Sequence, residues 1–131
     1  MIRHSTRLPP GEALERLHAA IEEADMRLVS HINGQAKAAL VGVEVPADQI
    51  LEVFRPDYAV RVWRACKPAG IEIPLRIHVY QETADGPTHV ACRPPLEAFT
   101  PYGSAELDAI GEELNPVFEG ILAAVPEEIT P

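Results

Sequence analysis

The sequence predicts an α+β domain of two layers, in which a mixed or mainly antiparallel sheet carries helices on one face. Three observations predict this class. Apolar residues recur with helical spacing in some segments and alternate with polar residues in others. These segments follow one another in the order β-α-β-α-β-α-β-β-α, with a short second helix. The two consecutive strands near the end form a hairpin and must therefore pair antiparallel.

The first four elements are predicted from periodicity. Residues 2–8 form a weak first strand. In residues 12–24, alanine, leucine and isoleucine recur at i, i+3, i+4 and i+7, as in a helix with one buried face. Residues 26–32 alternate apolar and polar side chains, which is typical of a half-buried strand. The alanine-rich residues 35–41 predict a short helix that ends at Gly42.

The middle of the chain predicts a strand followed by a helix. Residues 50–54 form a short apolar run that Arg55-Pro56 ends. Asp57 is of a residue type that caps helices, so we expect the next helix to start there. This helix ends at Pro68-Ala69-Gly70, and its apolar stripe consists of Ala59, Val62, Trp63 and Cys66.

The strongest strand signal is a hairpin. Aliphatic residues alternate with polar residues over residues 75–80, and residues 88–93 form the second strand after an Asp85-Gly86 turn. If this dipeptide is the turn, Tyr80 pairs with Ala91. The aliphatic side chains of both strands then share one face, which must pack on the core because a slip of one residue would expose them.

The last helix begins at a Ser104 cap and carries an apolar stripe that extends to Val125. Pro116 lies inside the stripe and is expected to kink or split the helix. We expect residues 126–131 to be a frayed tail. Because no repeat or flexible linker interrupts the chain, residues 1–131 are interpreted as a single domain.

The composition excludes several classes of protein. The chain has 131 residues, 20 of them acidic and 11 basic, and a net charge of −9. Such a molecule repels phosphate backbones, so we expect no nucleic-acid partner. No apolar run approaches the roughly 18 residues that span a membrane, and the N-terminus lacks a signal-peptide pattern. Two cysteines are too few for a disulfide scaffold, which favours the reducing cytoplasm.

Several stretches together resemble a known family. These are residues 36–46, 50–56, 69–80, 102–103 and 107–118. The order and spacing of these stretches resemble those of the bacterial and archaeal family called domain of unknown function 302. The resemblance covers about residues 14–124. The resemblance implies a compact α+β domain that tends to self-associate and has no settled biochemical role. It transfers no catalytic residue to this chain.

The chain departs from this family after the second strand. Many members carry an Asp-His pair there, and this sequence has Asn33-Gly34. An activity that relied on that histidine would be absent here. His31 is not a substitute, because it lies on the other face of the strand.

The polar face of the hairpin is the first candidate site. Its side chains offer cationic and hydrogen-bonding groups to an anionic small molecule, and arginine matches carboxylate or phosphate geometry. They are Arg76, His78, Tyr80, His89 and Arg93. The alternative, which we favour, is a solvated sheet face or a face buried in a homodimer.

A second candidate site is a pocket for a small ligand at the junction of the third strand and the next helix. It involves Phe54, Arg55, Tyr58 and Trp63. Trp63 is either a core residue, which we favour, or an interface anchor.

Cys66 and Cys92 suggest a third possibility, a cysteine-dependent redox or sulfur-handling protein. A reactive thiol needs a lowered pKa and access to solvent, whereas buried cysteine is common as a small hydrophobe, which is the interpretation that we favour.

Motifs for zinc, nucleotides and serine hydrolysis are absent from the sequence. A haem or metal held by His78 or His89 across a dimer is a weaker alternative. We therefore expect no resident cofactor. The sequence favours a non-catalytic domain that forms a homodimer and binds a small anionic or apolar ligand.

Overall fold

Five strands form one sheet in the computed structural model, which describes residues 1–129. The order across the sheet is β1-β5-β4-β3-β2, and every neighbouring pair is antiparallel. The strands are β1 (Ile2–Thr6), β2 (Arg27–Asn33), β3 (Asp48–Phe54), β4 (Leu75–Tyr80) and β5 (Thr88–Cys92). The predicted α+β class is confirmed, and the sheet is entirely antiparallel.

The helices are α1 (Pro10–Glu23), α2 (Gly34–Ala39), α3 (Pro56–Ala65), α4 (Pro95–Phe99) and α5 (Ala105–Leu122), with 3₁₀ turns at Lys67–Glu72 and Thr100–Tyr102. Helix α4 was not predicted. The Ser104 cap is confirmed, because its hydroxyl accepts a hydrogen bond from the Leu107 N–H at 3.2 Å. The Asp57 cap is wrong: Arg55 occupies the cap position, and Asp57 bonds the Arg55 side chain instead.

The core lies between one face of the sheet and the helices. Alternate side chains of β3, β4 and β5 point to this face, as the period of two requires. Leu51, Ile77 and Val90 are completely buried there. They belong to one apolar cluster with Leu17 of α1 and Phe118 of α5. The opposite face of the sheet carries the polar side chains of the same strands.

Helix α5 is continuous through Pro116, so the predicted split does not occur. The proline removes one backbone hydrogen bond. Buried side chains on either side, Leu114 and Phe118, hold the helix against the core. Asn115 accepts a hydrogen bond from the Leu96 N–H at 3.0 Å and ties α5 to α4.

The hairpin register differs from the predicted one by two residues. Tyr80 pairs with His89, not with Ala91. The turn starts earlier than Asp85, because the Gly86 N–H donates to the Thr83 carbonyl at 3.0 Å. A shift of two residues leaves every side chain on its predicted face, since the period of a strand is two.

The two edges of the sheet differ in what contacts their outer side. At the β1 edge, the Glu128 N–H donates to the Ser5 carbonyl at 2.9 Å, and the Ser5 N–H donates to the Glu127 carboxylate at 3.0 Å. The predicted frayed tail thus begins with residues that contact β1, and residues 130–131 lie outside the described residues. At the other edge, no described strand pairs with the outer side of β2.

The described helices include none that is long and apolar enough to cross a lipid bilayer.

Candidate functional site

The polar face of the sheet carries a row of aromatic rings. His78 stacks on Tyr80 with ring centroids 4.4 Å apart, and Tyr80 lies 5.0 Å from His89. The Arg3 guanidinium lies 5.8 Å from the Tyr80 ring, at the outer limit for a cation–π contact. His78, Tyr80 and His89 therefore share one face, as the alternation in the sequence predicted, and the observed register brings His89 beside Tyr80.

Carboxylates neutralise most of the predicted basic patch. Arg93 forms an ion pair with Glu72 at 2.9 Å, and Arg76 lies 3.7 Å from Glu52. His78 Nε2 lies 3.0 Å from Asp48. Each of these acids comes from a segment that the hairpin sequence does not contain. The face offers less free positive charge than its arginine content implies.

The Ser5 hydroxyl contacts His89 Nδ1 at 2.7 Å, a pair that the sequence did not predict. A hydroxyl beside an imidazole is the start of a nucleophile–base arrangement, which also needs a third group that orients the base. Among the described residues, no carboxylate forms a hydrogen bond with His89. The pair therefore fixes the His89 ring beside Tyr80 without completing a catalytic set.

An apolar cleft lies where β3 ends and α3 begins; we call it the Trp63 cleft. Its volume is about 350 Å³. The apolar side chains of the lining are Val29, Phe54, Pro56, Ala59, Trp63, Ile73 and Pro74. The polypeptide turns from β3 into α3 at Pro56 and returns to β4 through Pro74. The backbone of the cleft walls is therefore conformationally restricted at these two prolines.

Trp63 forms an exposed wall of the cleft. Its exposed fraction is 44%, so the interpretation of Trp63 as a core residue is wrong. The Lys67 ammonium lies 4.9 Å from the centre of its ring. A Cβ at Gly70 would lie 3.2 Å from the indole Nε1, so glycine lets the ring approach the backbone closely.

Of the other residues predicted here, Arg55 lines the cleft and Tyr58 does not. Arg55 bonds Asp57 at 2.7 Å and lies 3.4 Å from Asp25. Tyr58 is buried and donates a hydrogen bond to Glu113 of α5 at 2.6 Å. The sequence did not reveal this contact, because it joins residues 55 positions apart.

Glu113 connects α3, which forms a wall of the cleft, to α5. It accepts hydrogen bonds from Arg61 at 2.9 Å and from the Tyr58 hydroxyl. These two bonds lower the pKa of Glu113 to about 2. Burial and the bond to Glu113 raise the pKa of Tyr58. Glu113 thus links two side chains of α3 to α5.

The two cysteines are free thiols. Cys92 is 1% exposed on the core face of β5, and burial raises its pKa to about 12. Cys66 is half-buried at the end of α3. A reactive thiol requires the opposite change in pKa, so Cys92 has the properties of a structural residue.

Histidines, cysteines and carboxylates do not form a metal-binding cluster of three or more within residues 1–129. His78 and His89 lie on either side of Tyr80 and bond Asp48 and Ser5, respectively.

Asn33-Gly34, where the sequence departs from the family pattern, has a structural role. The Asn33 side chain accepts a hydrogen bond from the Ala36 N–H at 3.0 Å and caps α2. A Cβ at Gly34 would lie 3.1 Å from the Asp48 carbonyl oxygen. The pair therefore starts α2 and allows it to lie close to β3.

The fold and the site define a small α+β domain whose antiparallel sheet has one helix-covered face and one polar face, with an apolar cleft at its end. The chain belongs to the family described as "Domain of unknown function DUF302", whose model matches residues 2–125. This confirms the resemblance found in the sequence.

A solved structure shares this fold. The crystal structure of an uncharacterized conserved protein DUF302 from Bacillus stearothermophilus is similar to this chain with a TM-score of 0.83 and 20% identity. The similarity covers 95% of this chain and 98% of that chain. No curated protein matches the sequence.

Proposed function

We propose that this protein is a non-catalytic binding domain that holds a small apolar molecule in the Trp63 cleft. The observation that carries the proposal is the cleft itself, with its volume of about 350 Å³ and its apolar lining. Pockets for small ligands usually have volumes of about 300–1,000 Å³ and mainly apolar walls. The polar face of the sheet has weaker support, because carboxylates already lie beside Arg76, His78 and Arg93.

Trp63 supplies a direct test, since it is the only tryptophan in the chain. Titration with 1-octanol is expected to shift the Trp63 emission to shorter wavelength and to saturate, because the ligand replaces water at the indole. A linear or absent response would contradict the proposal.

Ala59→Phe provides a variant that fills the cleft, because Ala59 lines it. It is expected to abolish the saturable response to 1-octanol. Ala19→Phe is the matched control, since Ala19 is an exposed residue of α1 outside the cleft. Thermal unfolding of both variants verifies that they fold. A folded Ala59→Phe protein that binds 1-octanol like the wild type would contradict the assignment of the cleft.

Self-association through β2 is a second candidate function. The β2 edge presents partly exposed apolar side chains, with Val29 58% and Ile32 39% exposed. Its outer backbone groups have no partner strand among the described residues. An unpaired strand edge offers its backbone groups to a second antiparallel strand, and two copies of β2 would form a symmetric, isologous interface. The β1 edge is less available, because residues 127–129 contact it.

Light scattering after size-exclusion chromatography tests the homodimer. The wild type is expected to elute as a dimer, and Ile32→Lys as a monomer, because a charged residue on an edge strand opposes pairing. Ile71→Lys is the control, since Ile71 is 83% exposed on a 3₁₀ turn away from the strand edge. A monomeric wild type, or a dimeric Ile32→Lys variant, would contradict pairing through β2.

The cysteine-dependent alternative has less support than ligand binding, because Cys92 is buried and its pKa is about 12. We expect Cys92 to react with a thiol reagent at neutral pH only after unfolding. Labelling of both native thiols within seconds would favour the alternative. Two free thiols support a location in the reducing cytoplasm.

A further inference from the structure

We propose that the ligand of the Trp63 cleft is amphipathic, with an apolar body and an anionic head group such as a carboxylate that Arg27 binds. This inference rests on the proposed ligand-binding function and specifies the chemistry of the ligand. The lining of the cleft contains two charged residues, Arg27 and Arg55, and both are cations. Among the described residues that line it, none is acidic.

The two arginines differ in their partners. Arg55 forms hydrogen bonds with Asp57 at 2.7 and 3.1 Å and lies 3.4 Å from Asp25. Arg27 is exposed, and its side chain forms no ion pair or hydrogen bond with the described part of the chain. Arg27 therefore has a full set of donors for a ligand, whereas those of Arg55 are largely used.

The position of Arg27 matches the end of an extended ligand. Arg27 is the first residue of β2 and is paired with Phe54, whose side chain belongs to the apolar lining. Trp63 of α3 and Gly70 of the following 3₁₀ turn also line the cleft. When the head group binds Arg27, the apolar body of the ligand thus lies along Phe54 and Trp63. The guanidinium binds carboxylates through two parallel hydrogen bonds.

A neighbouring pocket shows that arginine alone does not make such a site. Arg76 and Arg93 line a more polar depression together with Glu72. Arg93 is bonded to Glu72 at 2.9 Å, and Arg76 lies 3.7 Å from Glu52. A protein with a net charge of −9 repels anions unless a cation is free to bind them. The Trp63 cleft differs from this depression in combining an arginine without a carboxylate partner with an apolar wall that contains no acidic residue.

Octanoate and 1-octanol form a matched pair of probes, because they share the apolar chain and differ in the charge of the head group. We expect octanoate to bind about tenfold more tightly than 1-octanol, as measured by Trp63 emission at pH 7.5 and constant ionic strength. Arg27→Gln is expected to remove this preference. Arg16→Gln is the control, since Arg16 is an exposed cation of α1 outside the cleft.

The outcomes separate the two proposals. If neither probe gives a saturable response, the proposed ligand-binding function fails. If 1-octanol binds but octanoate binds no more tightly, or if Arg27→Gln keeps the preference for octanoate, the anionic ligand is wrong and the apolar cleft remains. A preference that Arg27→Gln removes and Arg16→Gln retains supports the inference.

Discussion

The two faces of the sheet are built by the same strands and have opposite properties. On the helix face, Ile77 and Val79 of β4 are completely buried. On the other face, His78 and Tyr80 of the same strand stack on each other and remain partly exposed. Alternation along one strand therefore separates the residues that stabilise the fold from those that are available for contacts with other molecules.

The Trp63 cleft borders the helix-covered core, to which Phe54 of its lining belongs. Its wall includes a half-exposed tryptophan, whereas the core contains Phe118 with no exposed surface. We therefore expect substitutions of these two aromatic residues to affect different properties of the protein. A core substitution changes the free energy of unfolding, and a cleft substitution changes binding.

The largest expected effect is that of Phe118→Ala. It should lower the free energy of unfolding by about 3–5 kcal/mol, because it removes a fully buried ring and leaves a cavity. Trp63→Phe, which keeps an aromatic ring in the cleft wall, should lower it by about 1 kcal/mol or less. Urea denaturation followed by circular dichroism measures both. Equal losses would show that the cleft wall is part of the stabilising core.

Two glycines of α5 give a finer comparison of buried and exposed surface. A Cβ at Gly111 would lie 2.6 Å from the Leu96 Cα, so Gly111→Ala must push α4 away. We expect a loss of about 1–3 kcal/mol. A Cβ at Gly120 meets no atom within 4 Å, so Gly120→Ala should stabilise the protein by about 0.5–1 kcal/mol through helix propensity. If urea denaturation shows that both substitutions change the free energy of unfolding in the same direction, the close packing of α4 on α5 is contradicted.

Periodicity predicted the elements of this fold better than their pairing. Strand β4 has its predicted bounds, because six alternating residues leave one arrangement that buries the aliphatic side chains. The hairpin register was wrong because the turn at Thr83 is longer than the dipeptide signal implied. Helix α4 has only five residues, too few to show a helical period.

The candidate site was predictable where it depends on one strand and unpredictable where distant segments meet. Alternation placed His78 and Tyr80 on one face. It could not reveal Glu72 as the partner of Arg93, which depends on the return of the chain after α3. Arg27 was missed because its position beside Phe54 follows from the pairing of β2 with β3, which only the folded sheet defines.

A smaller effect concerns the link between the cleft wall and the helix layer. The pKa of Glu113 is lowered to about 2 in the folded protein by Arg61 and Tyr58. The folded state therefore binds fewer protons than the unfolded state, and this contribution to stability is present above about pH 4.5 and is lost as the pH falls towards 2. Because both side chains of the ion pair are about half exposed, we expect about 1 kcal/mol or less.

Glu113→Gln tests this link. Between pH 5 and pH 3, the free energy of unfolding measured by urea denaturation should fall less for the variant than for the wild type. Glu12→Gln, on the exposed surface of α1, should retain the pH dependence of the wild type. If the stability of Glu113→Gln depends on pH as strongly as that of the wild type, the contact between α3 and α5 does not depend on this charge.

The smallest effect compares histidines on the two sides of the sheet. His78 on the polar face lies 3.0 Å from Asp48, whereas His18 of α1 faces another histidine, His31, with ring centroids 5.5 Å apart. Burial and the neighbouring His31 lower the pKa of His18 below its usual 6.5. The stability that depends on neutral His18 is thus present above about pH 6.5 and is lost as the pH falls through the lowered pKa.

His18→Gln should therefore reduce the destabilisation between pH 7.5 and pH 5, by about 0.5 kcal/mol or less because the residue is exposed. Glu22 and Arg27 line the same surface depression as His18. Thermal unfolding at the two pH values measures the difference between variant and wild type. A larger destabilisation in the variant would mean that protonated His18 is favoured in the fold, and the assigned direction of its pKa would be wrong.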